Sequence, residues 1–110
     1  MATEKFIADN PETVQRWTNA IYKAQRWIQT APIAEIVKVV EPYFPGVSQA
    51  ALTAGAENYR KIAIWKAAPA IDEASVAKFQ DILVKGGVLD ASKRISFKEL
   101  VAAEFAAKAK

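Results

Sequence analysis

The sequence predicts an all-α fold, a cluster of five helices with an N-terminal helical stub, and three observations carry that prediction. Only 4 of the 110 residues are glycine, so the dense turn punctuation of a β-sandwich or barrel is missing. Apolar residues recur at three- and four-residue steps along most of the chain, which is the period of a helix face rather than of a strand. Ser, Asp or Asn stands just ahead of several of these stretches, where a side-chain oxygen can accept from the first unpaired amides of a helix. The composition, 52% hydrophobic and 25% charged, is that of a folded globular chain rather than a disordered one. The length suits one helical domain over residues 1–110 with one core.

The elements follow in order. Residues 3–8 read as the end of a helix, stopped by Asp9-Asn10-Pro11. Asn10 is placed to cap the next helix, with Pro11 at its first position, where a missing N–H costs nothing, and Glu12 in its first turn. Val14, Trp17, Ile21, Ala24 and Ile28 then make the inward stripe of a long amphipathic helix, with Gln15, Arg16, Asn19, Lys23, Gln25 and Arg26 on its other faces. Thr30-Ala31-Pro32 breaks it and opens a third helix, whose broad apolar face is Ile33, Ile36, Val37, Val39, Val40, Tyr43 and Phe44. The β-branched run 36–40 would also suit a strand, although Pro32, Glu35 and Lys38 fit a helix of about three turns better.

Phe44-Pro45-Gly46 ends that element, and Val47, Ser48 and Leu52 supply staple and cap for a helix to about Ile62. Residues 63–71 follow neither period and contain Pro69, which predicts an ordered apolar loop packed against the rest. Asp72 caps the next helix, with Val76, Phe79, Ile82 and Leu83 inward and Gly86-Gly87 as a left-handed exit, after which Val88 and Leu89 fold back. Ser96 and Glu99 form a capping box stapled by Ile95 and Leu100, and the helix they open runs into a fraying Ala-Lys tail.

Several function classes lose their footing. With no cysteine and no histidine, disulfides, the usual zinc ligand sets, thiol nucleophiles and His-based triads are out of reach. No phosphate cradle and no nucleophile elbow is present, so no metal, cofactor or catalytic residue is expected. Asp72, Glu73 and Asp81 read as caps and surface charge. A net charge of +3 is weak for a phosphate binder, and Lys93, Arg94, Lys98, Lys108 and Lys110 read as a solvated face without a nucleic-acid partner. No apolar run reaches the roughly 20 residues that span a bilayer. Trp17, Tyr22 and Trp27 are five apart, so they cannot all share one helix face, and at least one lies at an edge, available to dock on another surface.

The words Lys-Phe-Ile-Ala-Asp-Asn-Pro-Glu-Thr-Val-Gln-Arg (5–16) and Lys-Ala-Gln-Arg-Trp-Ile (23–28) form an ordered pattern with Tyr43-Phe44-Pro45-Gly46, Tyr59 to Trp65, Phe79-Gln80-Asp81-Ile82-Leu83, Gly86-Gly87-Val88-Leu89 and Ser96-Phe97-Lys98-Glu99-Leu100-Val101. In order and spacing they resemble the C-terminal region of periplasmic substrate-binding proteins of the nitrate/sulfonate/taurine-type ABC transporters. That resemblance implies a segment of about a third of a two-lobed α/β protein that closes over a small anionic or zwitterionic solute and delivers it to a permease. It implies a periplasmic or extracytoplasmic parent, and no ligand, beyond a place for Trp65 near the cleft, for the segment alone. The remaining lobes and the permease are then the partners. Helices shaped to cover a sheet keep an apolar face; Trp17, Trp27, Val37, Val40 and Phe44 are the expected interface, and residues 33–44 the expected surface for self-association of the isolated segment. Two other readings stay open: a free-standing helical module that holds a partner helix in an apolar groove, and part of a pyrimidine-precursor enzyme that shares the overall fold.

Overall fold

The computed structural model describes residues 2–110, and among them every regular element is helical. The helices are α1 (Glu4–Asp9), α2 (Pro11–Thr30), α3 (Ile33–Val40), α4 (Gln49–Lys61), α5 (Glu73–Lys85), α6 (Phe97–Leu100) and α7 (Ala103–Ala107), with 3-10 turns at Glu41–Tyr43 and Ala91–Lys93. The run 36–40, open to a strand reading, is helical.

The caps lie where the sequence put them. Ser48 Oγ accepts from Ala51 N at 3.2 Å, Asp72 Oδ1 from Ser75 N at 2.7 Å, and Ser96 with Glu99 closes a complete capping box. Asn10 differs in detail. Its carbonyl accepts from Val14 N at 3.1 Å, while its side-chain amide donates back to Phe6 O at 3.2 Å, tying off α1.

Two elements are shorter than expected. α3 ends at Val40 and the chain tightens into the 3-10 turn Glu41–Tyr43, because Pro42 has no N–H to give to the carbonyl four residues back. The last helix is interrupted: α6 lasts one turn, Val101 turns extended at φ −125° and ψ 114°, and α7 begins at Ala103.

The chain sorts into two compact units, one holding the residues up to Thr18 with Ala70–Ala109, the other Asn19–Pro69 with Lys110. In the first, Val76 and Gln80 of α5 are buried. Gln80 pairs with the backbone of Ile95 in both directions, Nε2 donating at 3.0 Å and Oε1 accepting at 2.9 Å. Gln15 Nε2 donates to Phe105 O at 3.0 Å, which ties α2 to α7. Thr18 is buried on α2, its hydroxyl donating to Val14 O at 2.8 Å.

In the second unit, α3 packs on α4 and the core is Ala31, Ile36, Val37 and Ala56, with Ile28, Ile33, Leu52 and Trp65 against it. Arg60 of α4 donates to two carbonyls at the end of α2, to Ile28 O at 3.0 Å and to Ala31 O. Those carbonyls have no intrahelical partner, so the guanidinium serves as a cap brought from another helix.

The inward stripes are rotated from those expected. On α2 the less exposed side is Val14, Thr18, Ile21, Gln25 and Ile28, while Trp17 and Ala24 are exposed. On α5, Phe79 and Ile82 stand outside at 58% and 59% exposure, and Gln80 takes the inner place. Both shifts have one cause: a polar side chain enters an interior without loss when its hydrogen bonds are met there, as those of Thr18 and Gln80 are.

Candidate functional site

Three regions could bear function, and the first is the corner around Trp65. α4 ends with Ala63 at φ 51°, which turns the chain back so that Trp65 meets Tyr59 edge to face, with ring centroids 5.9 Å apart and planes at 87°. Gln29 of α2 donates to Trp65 O at 2.6 Å, and the indole lies against the core of its unit. Trp65 is thus held from three sides as a packing residue. The expected apolar loop is pinned at this point, although Ile64 and Ile71 beside it remain more than half exposed.

The second is a shallow groove of about 340 Å³ between α1 and the α6–α7 segment, lined among others by Ile7, Leu100, Val101, Glu4, Glu99 and Glu104, with Lys98 as its ammonium. Three carboxylates against one cation make a poor seat for an anion, since like charges repel it. Glu99 is committed elsewhere. Its carboxylate accepts from the Ser96 hydroxyl first and the Ser96 amide second, and both bonds hold it below the usual carboxylate range. Asp90 is lowered in the same manner by the hydroxyl and then the amide of Ser92.

The third is the open apolar surface. In the second unit Trp27, Val39, Tyr43, Phe44, Tyr59 and Ile62 are exposed; in the first, Phe6, Trp17, Phe79, Ile82, Val88 and Leu100 are. The expected interface residues divide accordingly. Trp17 is open at 65%, Phe44 is half exposed, Trp27 sits at the edge and Val40 is half-buried. Val37 is a correction: at 1% exposure it belongs to the chain's own core with Ile36, because α4 covers that side of α3. The surface expected from residues 33–44 is therefore cut to its outer half. The amides of Val88 and Leu89 both donate back to Leu83 O, at 2.9 and 3.2 Å, but the side chain of Val88, expected to fold back, is 77% exposed while that of Leu89 is half-buried.

Sequence reasoning did not find Phe79 and Ile82 as surface, nor Arg60, Gln29 and Gln80 as ties. The available signal was Gln80 itself, four residues after Val76 and so on the same face. Among the described residues no group of three or more potential metal ligands converges, and no helix is long and apolar enough to cross a membrane.

No protein-family model matches the chain, and no solved structure gives a significant match. The chain is similar to the Putative binding protein YtlA of Bacillus subtilis (strain 168), with 29% identity over 108 residues. That alignment covers 98% of this chain and 32% of the relative, so the chain spans about a third of the length of the curated protein it matches.

Proposed function

We propose that this chain is the C-terminal helical portion of the solute-binding component of an ABC-type importer. The parent protein captures a small anionic or zwitterionic solute of the nitrate, sulfonate or taurine class outside the cytoplasm and hands it to a permease. The observation that carries the reading is the end-to-end alignment with one third of a protein named for binding, the share that the ordered sequence words imply. The open apolar helix faces support it, since faces of this kind mark where further protein packs. The role of the segment is non-catalytic: it covers and braces the lobes, and solute contacts come from elsewhere in the parent.

Calorimetry tests the proposal. Taurine, nitrate and methanesulfonate are titrated into the 110-residue chain and into the full parent protein. Expected is no heat of binding to the chain and about micromolar binding, near −8 kcal/mol, of at least one solute to the parent. Micromolar binding to the chain alone, or no binding of the class to the parent, overturns the reading.

A further inference from the structure

The corner that ends α4 carries an inference independent of the importer reading. α4 stops at Lys61, yet the residues that follow demand no stop: Ile62-Ala63-Ile64-Trp65-Lys66-Ala67-Ala68 holds neither glycine nor proline, and the first breaker is Pro69. The pivot of the turn is an alanine at φ 51°, a backbone that residues with a Cβ enter at a cost. The turn is therefore imposed by what holds Trp65 rather than by the segment itself. Three ties do so: the edge-to-face ring of Tyr59, the Gln29 side chain that donates to Trp65 O, and the core of the second unit against which the indole lies.

The same residues also fit a longer α4. Leu52, Ala56 and Arg60 face the core and the end of α2, and Ala63 and Ala67 follow them at steps of three and four residues, so a continued helix would extend that inward line in small side chains. Trp65 would then fall on the opposite side of the helix. It cannot be packed on the core and wound into α4 at once. Pro69 sets the limit, because the residue before a proline is disfavoured in a helix. Residues 62–67 are thus what α4 can gain, about one and two-thirds turns.

We propose that residues 62–67 are a two-state latch. With Trp65 packed, α4 ends at Lys61; with Trp65 released, the segment winds onto α4 and carries the indole to the outside. The end of α2 governs the choice. Gln29 lies between Ile28 and Ala31, whose carbonyls Arg60 caps, so a displacement of that end from α4 withdraws the amide that holds Trp65 O. The length of α4 and the exposure of Trp65 then report where the end of α2 sits.

Amide exchange of the 110-residue chain followed by NMR tests the latch. In a continued helix the amides of Lys66 and Ala67 donate to the carbonyls of Ile62 and Ala63; with Trp65 packed, neither makes a backbone hydrogen bond among the described residues. Trp65→Ala is expected to slow exchange at both by at least about threefold and to move the Cα shifts of Ala63 and Ala67 to helical values. A variant that keeps its exchange pattern elsewhere and shows neither change overturns the proposal.

A second arm leaves the core whole, since Trp65→Ala also opens it. Gln29→Ala with Tyr59→Ala removes two ties made by exposed residues and is expected to slow the same amides by about twofold. Adding Ala63→Gly, which frees the left-handed turn and weakens the helix, is expected to cancel that gain. No slowing in the double variant, or slowing indifferent to Ala63→Gly, overturns the latch.

Discussion

Ala63 and Gly87 end two helices in the same way and differ by one methyl group. After α4, Ile64 N donates to Tyr59 O and Ala63 N to Arg60 O, both at 3.1 Å; after α5, Val88 N donates to Leu83 O at 2.9 Å and Gly87 N to Val84 O at 3.0 Å. Each is a Schellman turn, with its pivot at φ 51° and 69° respectively. Glycine takes that backbone freely and alanine does not. Ala63→Gly is therefore expected to stabilise the chain by about 0.5–1 kcal/mol and Gly87→Ala to destabilise it by about 1 kcal/mol, both read by urea denaturation. Nothing lies within 4 Å of a Cβ built at Gly87, so that cost is one of backbone alone. Arg60 gives a third expectation. Arg60→Ala leaves the carbonyls of Ile28 and Ala31 without their donors and costs about 1–3 kcal/mol in the same assay. The loss falls toward the lower figure because Arg60 Nε is already buried without an acceptor. The glycine exit was legible in the sequence because two glycines together announce a left-handed turn; Ala63 was not, since alanine normally argues for continuing a helix.

At the scale of elements, caps and breaks were the legible part, because they depend on residues close in sequence. Ser48, Asp72 and the Ser96–Glu99 box all form as the sequence suggested. Which side of a helix faces in was less legible. On α5 the apolar residues span an arc wide enough for either half to be buried, and the choice falls to Gln80, whose amide completes the backbone of Ile95 fifteen residues away. No local rule foresees that partner. The capping box of α6 also responds to pH. The folded carboxyl of Glu99 is held below its unfolded value, so its contribution is full above the unfolded value and disappears as pH falls through the folded one. Amide exchange followed by NMR is expected to show the Ser96 amide, which donates to that carboxylate, losing protection below about pH 4, while Glu99→Gln leaves a profile without that step. An unchanged step in the glutamine variant would assign it to another group.

For the whole molecule, the decisive quantity is uncovered apolar surface. Among the described residues five hydrophobic residues are buried, from Ala31 to Val76, while large side chains such as Trp17, Phe44, Phe79 and Val88 stay open. The sequence disclosed the apolar content of these helices but not its division between core and surface, because that division depends on what else is packed against them. Val37 shows the difference: it was expected at an outer interface and instead lies under α4 within the chain. The central claim is that the remaining open faces, above all those of Trp17, Trp27 and Phe44, are covered in a longer parent protein. Hydrogen exchange measured on these 110 residues, alone and within the parent, tests it most directly. Amides of α2 and of the turn at Glu41–Tyr43 should exchange at least about tenfold more slowly in the parent, a gain of about 1.4 kcal/mol in local opening. The same rates in both settings would contradict it.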